Sequence, residues 1–534
     1  MLAPLHSPAS SAAAFDVQAP NILTSIIATI GPASESPDVV RRLIEAGVCV
    51  FRFNFSHGTL DDHGRRLRTV RAVASDLGVA VACLGDLQGP KIRVGRIPAG
   101  VGQPSPSGGG VVQVNPGEDV VFKAGITDAF YQPGDLPGEH ELVLPVTYQP
   151  LVCEVEPGHR LLINDGHVRL LAVDCDRERR ELRCRVVVGG AISSNKGINV
   201  PQSELSARAM TERDEECVRW AVAHEMDYLA LSFVRRASDV RELCEKIGEC
   251  VDPRTGRAAW IPVVAKIEMP QAVANLDEIV EASDAVMVAR GDLGVEMDIA
   301  RVPVVQQQIL EVCQKRGKPS IVATQMLETM IENSMPTRAE ASDVANAIFD
   351  GADAVMLSAE TATGRHPALV VETMARIAHA AEDRLRTTTR SFHPPSLFVE
   401  THRTTAALAH GAWVVSSALN AAAVVCWSEG GGTARYLSQN RFHIPIVAYS
   451  SDERTTRRVA LYRGVIPVCA APPGRGTLSE WNAAVDEYLR SRSIAERGQA
   501  VVLVAGRPLA QARATNTLAI YRVGEPTGGY FAQT

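Results

Sequence analysis

Lysine is scarce in this chain, with seven lysines among 54 basic residues. The basic residues are scattered, no basic block forms and the net charge is −7. A nucleic-acid surface is therefore not expected. No apolar run approaches the ~18 residues that span a bilayer, so no membrane partner is expected either. The eleven cysteines contain no CxxC pair, which removes the usual zinc and thioredoxin-type spacings. Cys49, Cys83, Cys184, Cys313 and Cys426 lie in apolar surroundings and read as free thiols of a reducing compartment, so a cytoplasmic location is expected. The first twenty residues hold no Lys or Arg. Secretory signals start basic and transit peptides carry arginines, so residues 1–20 read as a disordered tail.

What the chain does have is repetition. Eight short apolar runs start at Ser25, Val48, Val79, Asp227, Pro262, Ala285, Pro319 and Ala354. They are rich in Val, Ile and Ala, as strands buried on both faces are. Amphipathic helical patterns separate them at 37–47, 63–78, 211–224, 237–250, 272–283, 302–318 and 338–352, with an eighth at 366–385. Eight strand–helix units predict an α/β fold, a (β/α)8 TIM barrel, with a doubly wound open sheet as the runner-up.

The alternation breaks once. From Lys91 to Pro201 short strands with Gly, Pro and Asp replace the helical period, which predicts a small β-barrel lid inserted after the third strand. Within it, Pro98–Gly110 is low in complexity and reads as a flexible hairpin tip. The polar run TTTRSFHPPS then leads to a second α/β region. The expected organisation is a barrel from 21–90 and 202–385, a lid at 91–201, and a C-terminal α/β domain at 386–534.

Barrel enzymes of this kind carry their chemistry at the C-terminal ends of the strands. There the runs end in Arg52, Asn54, Ser56 and His57; in Asp86, Lys91 and Arg93; and in Lys266 and Glu268. Further ends are Arg290 with Asp292, Thr324 with Gln325, and Ser358 with Glu360. Such a rim suits a phosphorylated acid held through a metal. Mg²⁺ takes a few carboxylate oxygens plus substrate and water, and Glu268 and Asp292 could supply two. Lys266 shares a strand face with Glu268 and could stabilise a phosphoryl group in transfer. A structural Lys266–Glu268 ion pair, and Asp292 as a mere helix N-cap, stay open.

The strings IIATIGPAS (Ile26–Ser34), FRFNFSHG (Phe51–Gly58), GDLQGPKIR (Gly85–Arg93), KGINVP (Lys196–Pro201) and AKIEMPQAV (Ala265–Val273) follow one another along the chain. VARGDLGVE (Val288–Glu296), ATQMLETM (Ala323–Met330), Pro336–Thr361 and TNTLAIYRV (Thr515–Val523) complete the series. Together, over about residues 21–525, these resemble the pyruvate kinase family. The resemblance implies Mg²⁺-dependent phosphoryl transfer from phosphoenolpyruvate to ADP, with Mn²⁺ an alternative metal, in a homotetramer. It implies that Lys266 stabilises the transferring phosphoryl, that Arg52 bridges phosphoryl groups, and that Glu268 and Asp292 hold the metal. The backbone of Ala289, Arg290 and Gly291 is implied to bind the substrate carboxylate, and Thr324 to take part in proton donation. Asn54, Ser56 and Asp86 match the monovalent-cation ligands, while His57, Arg93 and Arg52 fall to the nucleotide. Asp165 and Lys196 belong to the lid and receive no catalytic role.

Two departures stand out. Where potassium-requiring members carry Glu, this chain has Lys91, whose ammonium could replace K⁺, so K⁺-independent activity is implied. An inert hinge lysine is the alternative. In the C-terminal region Trp427–Phe442 resembles the family's allosteric phosphate loop, with Ser428, Gly431, Gly432 and Thr433 as candidates. The family's usual Ser is Gly430 here, and Tyr-Arg-Pro reads Asn440, Arg441, Phe442. Two rival functions stay open: a catalytically silent homologue acting as a metabolite sensor, and another Mg²⁺-dependent enolate-handling barrel enzyme.

Overall fold

Each of the eight apolar runs forms a short strand with both faces covered, and neighbouring strands are parallel throughout. A computed structural model describes residues 22–104, 109–133, 140–387, 395–396, 403–473, 478–506, 509 and 515–525. The tail at 1–20, the centre of the low-complexity run (105–108) and most of the linker lie outside them. The strands close into a barrel. Ser25–Thr29 is flanked by Ala354–Leu357 and Val48–Asn54, and the circle continues through Ser320–Ala323, Ala285–Ala289, Val263–Ile267, Tyr228–Leu231 and Ala82–Asp86. The doubly wound alternative is thereby excluded.

Strand parity decides what enters the barrel, because successive side chains point to opposite faces. Ile26 and Ala28 join the core between strands and helices. Ile27, Val50, Leu84, Tyr228, Val264 and Met287 form an interior cluster. Continuing that interior parity towards the C-terminal ends reaches Thr29, Arg52, Asp86, Ser232 and Lys266. The barrel interior is thus apolar at one end and polar at the other.

The C-terminal unit seals the apolar end. Its Leu461 joins the interior cluster, with Tyr462 packed beside it. Residues just before or at the strand starts bind it: Tyr228 Oη donates to the Arg458 carbonyl at 2.8 Å, and Asp227 accepts from Arg457 Nε at 2.9 Å. Asp353 accepts from Arg441 Nη1 at 2.9 Å. The unit itself is a five-stranded sheet, ordered Val465–Cys469, Ile446–Ser450, Ala423–Trp427, Ala500–Gly506 and Thr515–Arg522, with the last strand antiparallel.

Helix boundaries follow capping chemistry. The helix expected from residue 63 starts at Leu60, because Thr59 and Asp62 form a capping box. The helix expected over 272–283 is two helices, Pro270–Ala274 and Leu276–Ala282, broken at Asn275 (φ −103°, ψ 23°). The short helix after the sixth strand is Arg290–Glu296, which carries Gly291 and Gly294. Its N-cap is Ala289 and Asp292 lies in its first turn, which overturns the N-cap alternative for Asp292. The inserted β region has a seven-stranded and a three-stranded sheet around its own apolar core, which includes Phe122, Leu144 and Leu170. The expected hairpin arms are present: Gln103–Pro104 pairs antiparallel with Gly110 and Val111.

Candidate active site

Lys266 sits at the centre of the polar end, buried among carboxylates. Its Nζ lies 2.8 Å from Glu268 Oε1, 3.3 Å from Asp86 Oδ1 and 2.7 Å from Ser232 Oγ. Burial works against its charge, but Asp86, Glu268 and Asp292 outweigh that and hold the ammonium above the ordinary lysine range. Asp86 is the common neighbour of two cations, since Arg52 Nε donates to its Oδ2 at 2.7 Å. Burial would raise this carboxyl, yet Lys266 and Arg52 together hold it below the usual carboxylate range. Arg52 Nη1 also donates to Thr29 Oγ1 at 3.1 Å, which fixes the guanidinium in the mouth of the barrel.

Glu268 and Asp292 are the residues that fit a divalent cation. One Glu268 oxygen takes Lys266, and the other accepts the Phe233 backbone N–H at 2.8 Å. Phe233 has φ 56°, a left-handed conformation that aims its N–H at the carboxylate. Burial and then Asp292 push Glu268 upward, with Lys266 acting the other way. A cation bound between them would relieve the repulsion that Asp292 exerts on Glu268. No cluster of three or more His, Cys, Asp or Glu suited to a metal occurs among the described residues. Mg²⁺ commonly binds through one or two carboxylates plus substrate oxygens, so the pair suits Mg²⁺.

A third piece of the rim is a strained turn. Thr324 and Gln325 have φ 66° and 52°, unfavourable for a β-branched threonine. Arg290 holds it: its guanidinium donates to the carbonyls of Thr324 at 2.8 Å and Gln325 at 2.7 Å, and pairs with Asp343 at 2.6 Å. The clamp places Thr324 Oγ1 2.7 Å from the Gly291 N–H, as acceptor, while the hydroxyl donates to the Ala323 carbonyl at 2.6 Å. A Cβ at Gly291 would come within 3.2 Å of that hydroxyl. The Arg290 side chain is thus a support, which leaves its backbone, with those of Ala289 and Gly291, as the candidate carboxylate site, where the Gly291 N–H is already held by Thr324.

The proposed cation ligands divide. Asn54 and Asp86 are paired across adjacent strands, and Asn54 Oδ1 accepts the Ser56 N–H at 3.1 Å. Asp86, however, already faces Arg52 and Lys266. The Lys91 ammonium has no ion pair or hydrogen bond among the described residues, and its stem runs against Gly197, where a Cβ would meet Lys91 Cε at 2.9 Å. Lys91 and Arg93 line a cavity of about 550 Å³ together with Asn164, Asp165 and Lys196. Asp165 and Lys196, given no role from sequence, thus share one polar chamber with Lys91 and with one nucleotide candidate, Arg93. His57 is exposed, and its carbonyl stands 2.9 Å from His63 Nε2.

In the C-terminal unit, Gly431 (φ 76°) caps the helix Gly432–Ser438. Ser428 is buried, with Oγ accepting the Ala434 N–H at 3.4 Å, and Thr433 Oγ1 lies 2.7 Å from Thr515 Oγ1. Both candidate hydroxyls therefore have internal partners. Arg441 of the altered Tyr-Arg-Pro position is bound to Asp353 of the barrel.

Sequence reading missed Ser232, Phe233 and Glu296. The fourth apolar run ends in Ser-Phe with no charged residue, so only interior parity with Tyr228 and Ala230 could have singled out Ser232. Glu296 ends the helix Arg290–Glu296 and accepts from Asn199 Nδ2 at 2.6 Å. Burial pushes its carboxyl up to about 7, with Asp292 and Glu268 adding to the shift.

Two family models match this chain: "Pyruvate kinase, barrel domain" over residues 22–371 and "Pyruvate kinase, alpha/beta domain" over residues 406–521. The chain is 40% identical over 504 residues to a pyruvate kinase of Corynebacterium glutamicum, covering 94% of this chain and 98% of that protein. It is 40% identical over 506 residues to one of Mycobacterium tuberculosis, covering 94% and 98%. To one of Geobacillus stearothermophilus it is 39% identical over 506 residues, covering 94% and 80%.

Proposed function

The chain belongs to the pyruvate kinase family, and from that premise we propose how its own residues carry phosphoryl transfer from phosphoenolpyruvate to ADP. The observation that carries the reading is the linked set Arg52–Asp86–Lys266–Glu268 at one mouth of the barrel. A phosphoryl group in flight spreads negative charge over its oxygens, and fixed cations aimed at that charge lower the barrier. Lys266 and Arg52 are such cations. Their shared carboxylate, Asp86, holds both in place and, with Glu268 and Asp292, raises the Lys266 ammonium above the ordinary lysine range.

Glu268 and Asp292 would hold Mg²⁺, which when bound neutralises phosphoryl and carboxylate oxygens of the substrate. The backbone of Ala289, Arg290 and Gly291 receives the substrate carboxylate, and the Arg290 clamp keeps that backbone and Thr324 in register. Thr324 Oγ1, bound to Gly291 N–H and Ala323 carbonyl, is a hydroxyl able to relay a proton to the enolate carbon. The chamber lined by Lys91, Arg93, Asp165 and Lys196 suits the ADP phosphates, with His57 and Arg52 completing the nucleotide set.

Potassium is not required in this reading. Lys91 brings a fixed positive charge that no carboxylate of the described residues consumes, and Asp86 is already neutralised by protein cations. The inert-hinge alternative predicts the opposite potassium response. Ser428, Gly431, Gly432 and Thr433 remain a proposed effector phosphate loop, although both hydroxyls have internal partners. The proposal extends to a cytoplasmic homotetramer by family analogy; all eleven cysteines are free, in keeping with a reducing compartment.

Pyruvate formation from phosphoenolpyruvate and ADP, with Mg²⁺ varied, tests the whole. Absence of Mg²⁺-dependent turnover in folded protein would favour the silent homologue, and turnover without ADP would favour another enolate chemistry.

A further inference from the structure

Among the described residues, the inserted β region and the barrel keep separate cores. No residue of 91–201 enters the apolar core between the barrel strands and helices. In the other direction only Leu205, on the return connection, packs against the core of the β region. Polar ties also end largely on that connection. Ser206 N–H donates to Glu154 at 3.2 Å and Ser206 Oγ lies 3.0 Å from Tyr148 Oη. His159 Nδ1 lies 2.9 Å from Ser203 Oγ, and Arg160 N–H donates to Gln202 at 3.0 Å.

One side-chain hydrogen bond among the described residues runs instead from the β region to a helix of the barrel itself. Asn199 Nδ2 donates to Glu296 Oε1 at 2.6 Å, both residues are buried, and Glu296 Oε2 has no partner among the described residues. Asn199 pairs with Leu162 in the seven-stranded sheet, and Ile198 with Ile163. The turn after Ile163 carries Asn164 and Asp165, and the strand before Ile198 carries Lys196 and Gly197. All four line the chamber of about 550 Å³ with Lys91 and Arg93. Asn199 therefore stands at the root of two chamber walls. At the other end of the bond, Glu296 closes the helix whose first turn holds Asp292.

We propose that the Asn199–Glu296 bond is a positioning latch: it sets the chamber, taken as the seat of the ADP phosphates in the function proposed above, in register with the helix that carries Asp292. Two chain connections without a common core leave a body free to hinge, and a bond made in one orientation favours that orientation by its own strength. Without the bond, the chamber is in register for only part of the time, and the apparent affinity for nucleotide falls by that fraction. Phosphoenolpyruvate, assigned to residues of the barrel alone, is spared.

Steady-state kinetics of the full chain test the latch. Asn199→Ala should raise KM for ADP about tenfold, the scale of one lost hydrogen bond. KM for phosphoenolpyruvate should stay within about twofold of the wild type, the spread expected for uncoupled sites. Glu296→Ala should match Asn199→Ala, and the double variant should be no worse than either. Glu296→Gln, which keeps an acceptor, should stay near the wild type. Hydrogen exchange in the substrate-free chain reads the latch without turnover. The Ile198 amide, bonded to the Ile92 carbonyl at 2.8 Å, should exchange faster in Asn199→Ala and not in Glu296→Gln.

An unchanged KM for ADP in Asn199→Ala overturns the latch, as does an equal rise in both KM values or a fall in kcat alone. Additive losses in the double variant, or a Glu296→Gln as impaired as Glu296→Ala, would do the same. If Asn199→Ala does not fold, Glu296→Ala against Glu296→Gln carries the comparison. A wild type without turnover would sink the assigned reaction instead, and the exchange rates would still decide whether the latch exists.

Discussion

Lys266 Nζ stands 2.8 Å from Glu268 Oε1, a contact between two residues of one strand end that point to the same side. In the proposed function the pair is also the meeting point of two roles, the ammonium serving the phosphoryl group and the carboxylate the metal. Lys266→Met should lower kcat by about 10³-fold or more, the scale of removing one preorganised charge donor. Steady-state kinetics with phosphoenolpyruvate and ADP measure it. A variant that folds and retains near-native kcat would return Lys266 to a purely structural ion pair.

Asp292 has no side-chain partner among the described residues, which leaves its oxygens for a cation. Asp292→Asn should raise the Mg²⁺ concentration needed for half-maximal activity by about 10- to 100-fold, the range seen when a metal's surroundings are disturbed. Metal titration at saturating substrate reads this directly. An unchanged requirement would remove Asp292 from the metal.

The Lys91 ammonium, unpaired among the described residues, sets the expected response to potassium. The wild type in buffer free of Na⁺ and K⁺ should be as active as with K⁺ added. Lys91→Glu should lose at least about tenfold without K⁺, as expected when a fixed charge near the reacting centre is reversed, and recover when K⁺ is supplied. A wild type inactive without K⁺ would support the inert hinge lysine.

Glu296 makes stability depend on pH. Its carboxyl is raised from 4.5 to about 7 by burial, with Asp292 and Glu268 also acting against its charge. The folded protein therefore holds a proton that the unfolded chain releases, and stability should fall as pH rises from about 4.5 to about 7, then level off. Glu296→Gln keeps the neutral shape, so it should nearly match the wild type at low pH. Above pH 7 it should gain up to about 3 kcal/mol on the wild type. Denaturant melts of both proteins without divalent metal, from pH 5 to 8, test this; parallel curves would contradict it.

Arg441 ties the C-terminal unit to the barrel through Asp353, and both side chains are almost wholly buried. Asp353 also takes Gln439 Nε2 at 3.0 Å and Ser320 N–H at 2.8 Å. Arg441→Met would leave this carboxylate short of its ion-pair partner, a loss of about 3–5 kcal/mol for a buried pair. Thermal melting should show a lowered or split transition as the two units uncouple. A melt unchanged from the wild type would show that packing of Leu461 and Tyr462 suffices.

Much of this was legible from residue order. Continuous apolar runs alternating with helical patterns specify eight parallel strands, and the two-residue side-chain period along each strand sends Arg52, Asp86 and Lys266 to one side and Ile26 or Phe51 to the other. Those are local consequences of backbone geometry. The same reading left open where the short helix Arg290–Glu296 begins, because its two glycines weaken the signal on which such a reading depends. It also overlooked Ser232, whose importance comes from the ammonium beside it and not from its own chemistry.

Tertiary structure alone decided the partnerships. Nothing in the sequence says that Asp86 lies between Arg52 and Lys266, because that depends on how many strands separate them once the barrel closes. The same holds for Arg290 reaching across to the Thr324 turn, and for Asn199 meeting Glu296 beneath the inserted β region. Side-chain type and strand parity are set within a few residues. Charge pairing, burial and the pKa shifts that follow are set by distances of a few ångströms between segments up to hundreds of residues apart. Only the closed barrel, with its far end sealed by Leu461, fixes those distances.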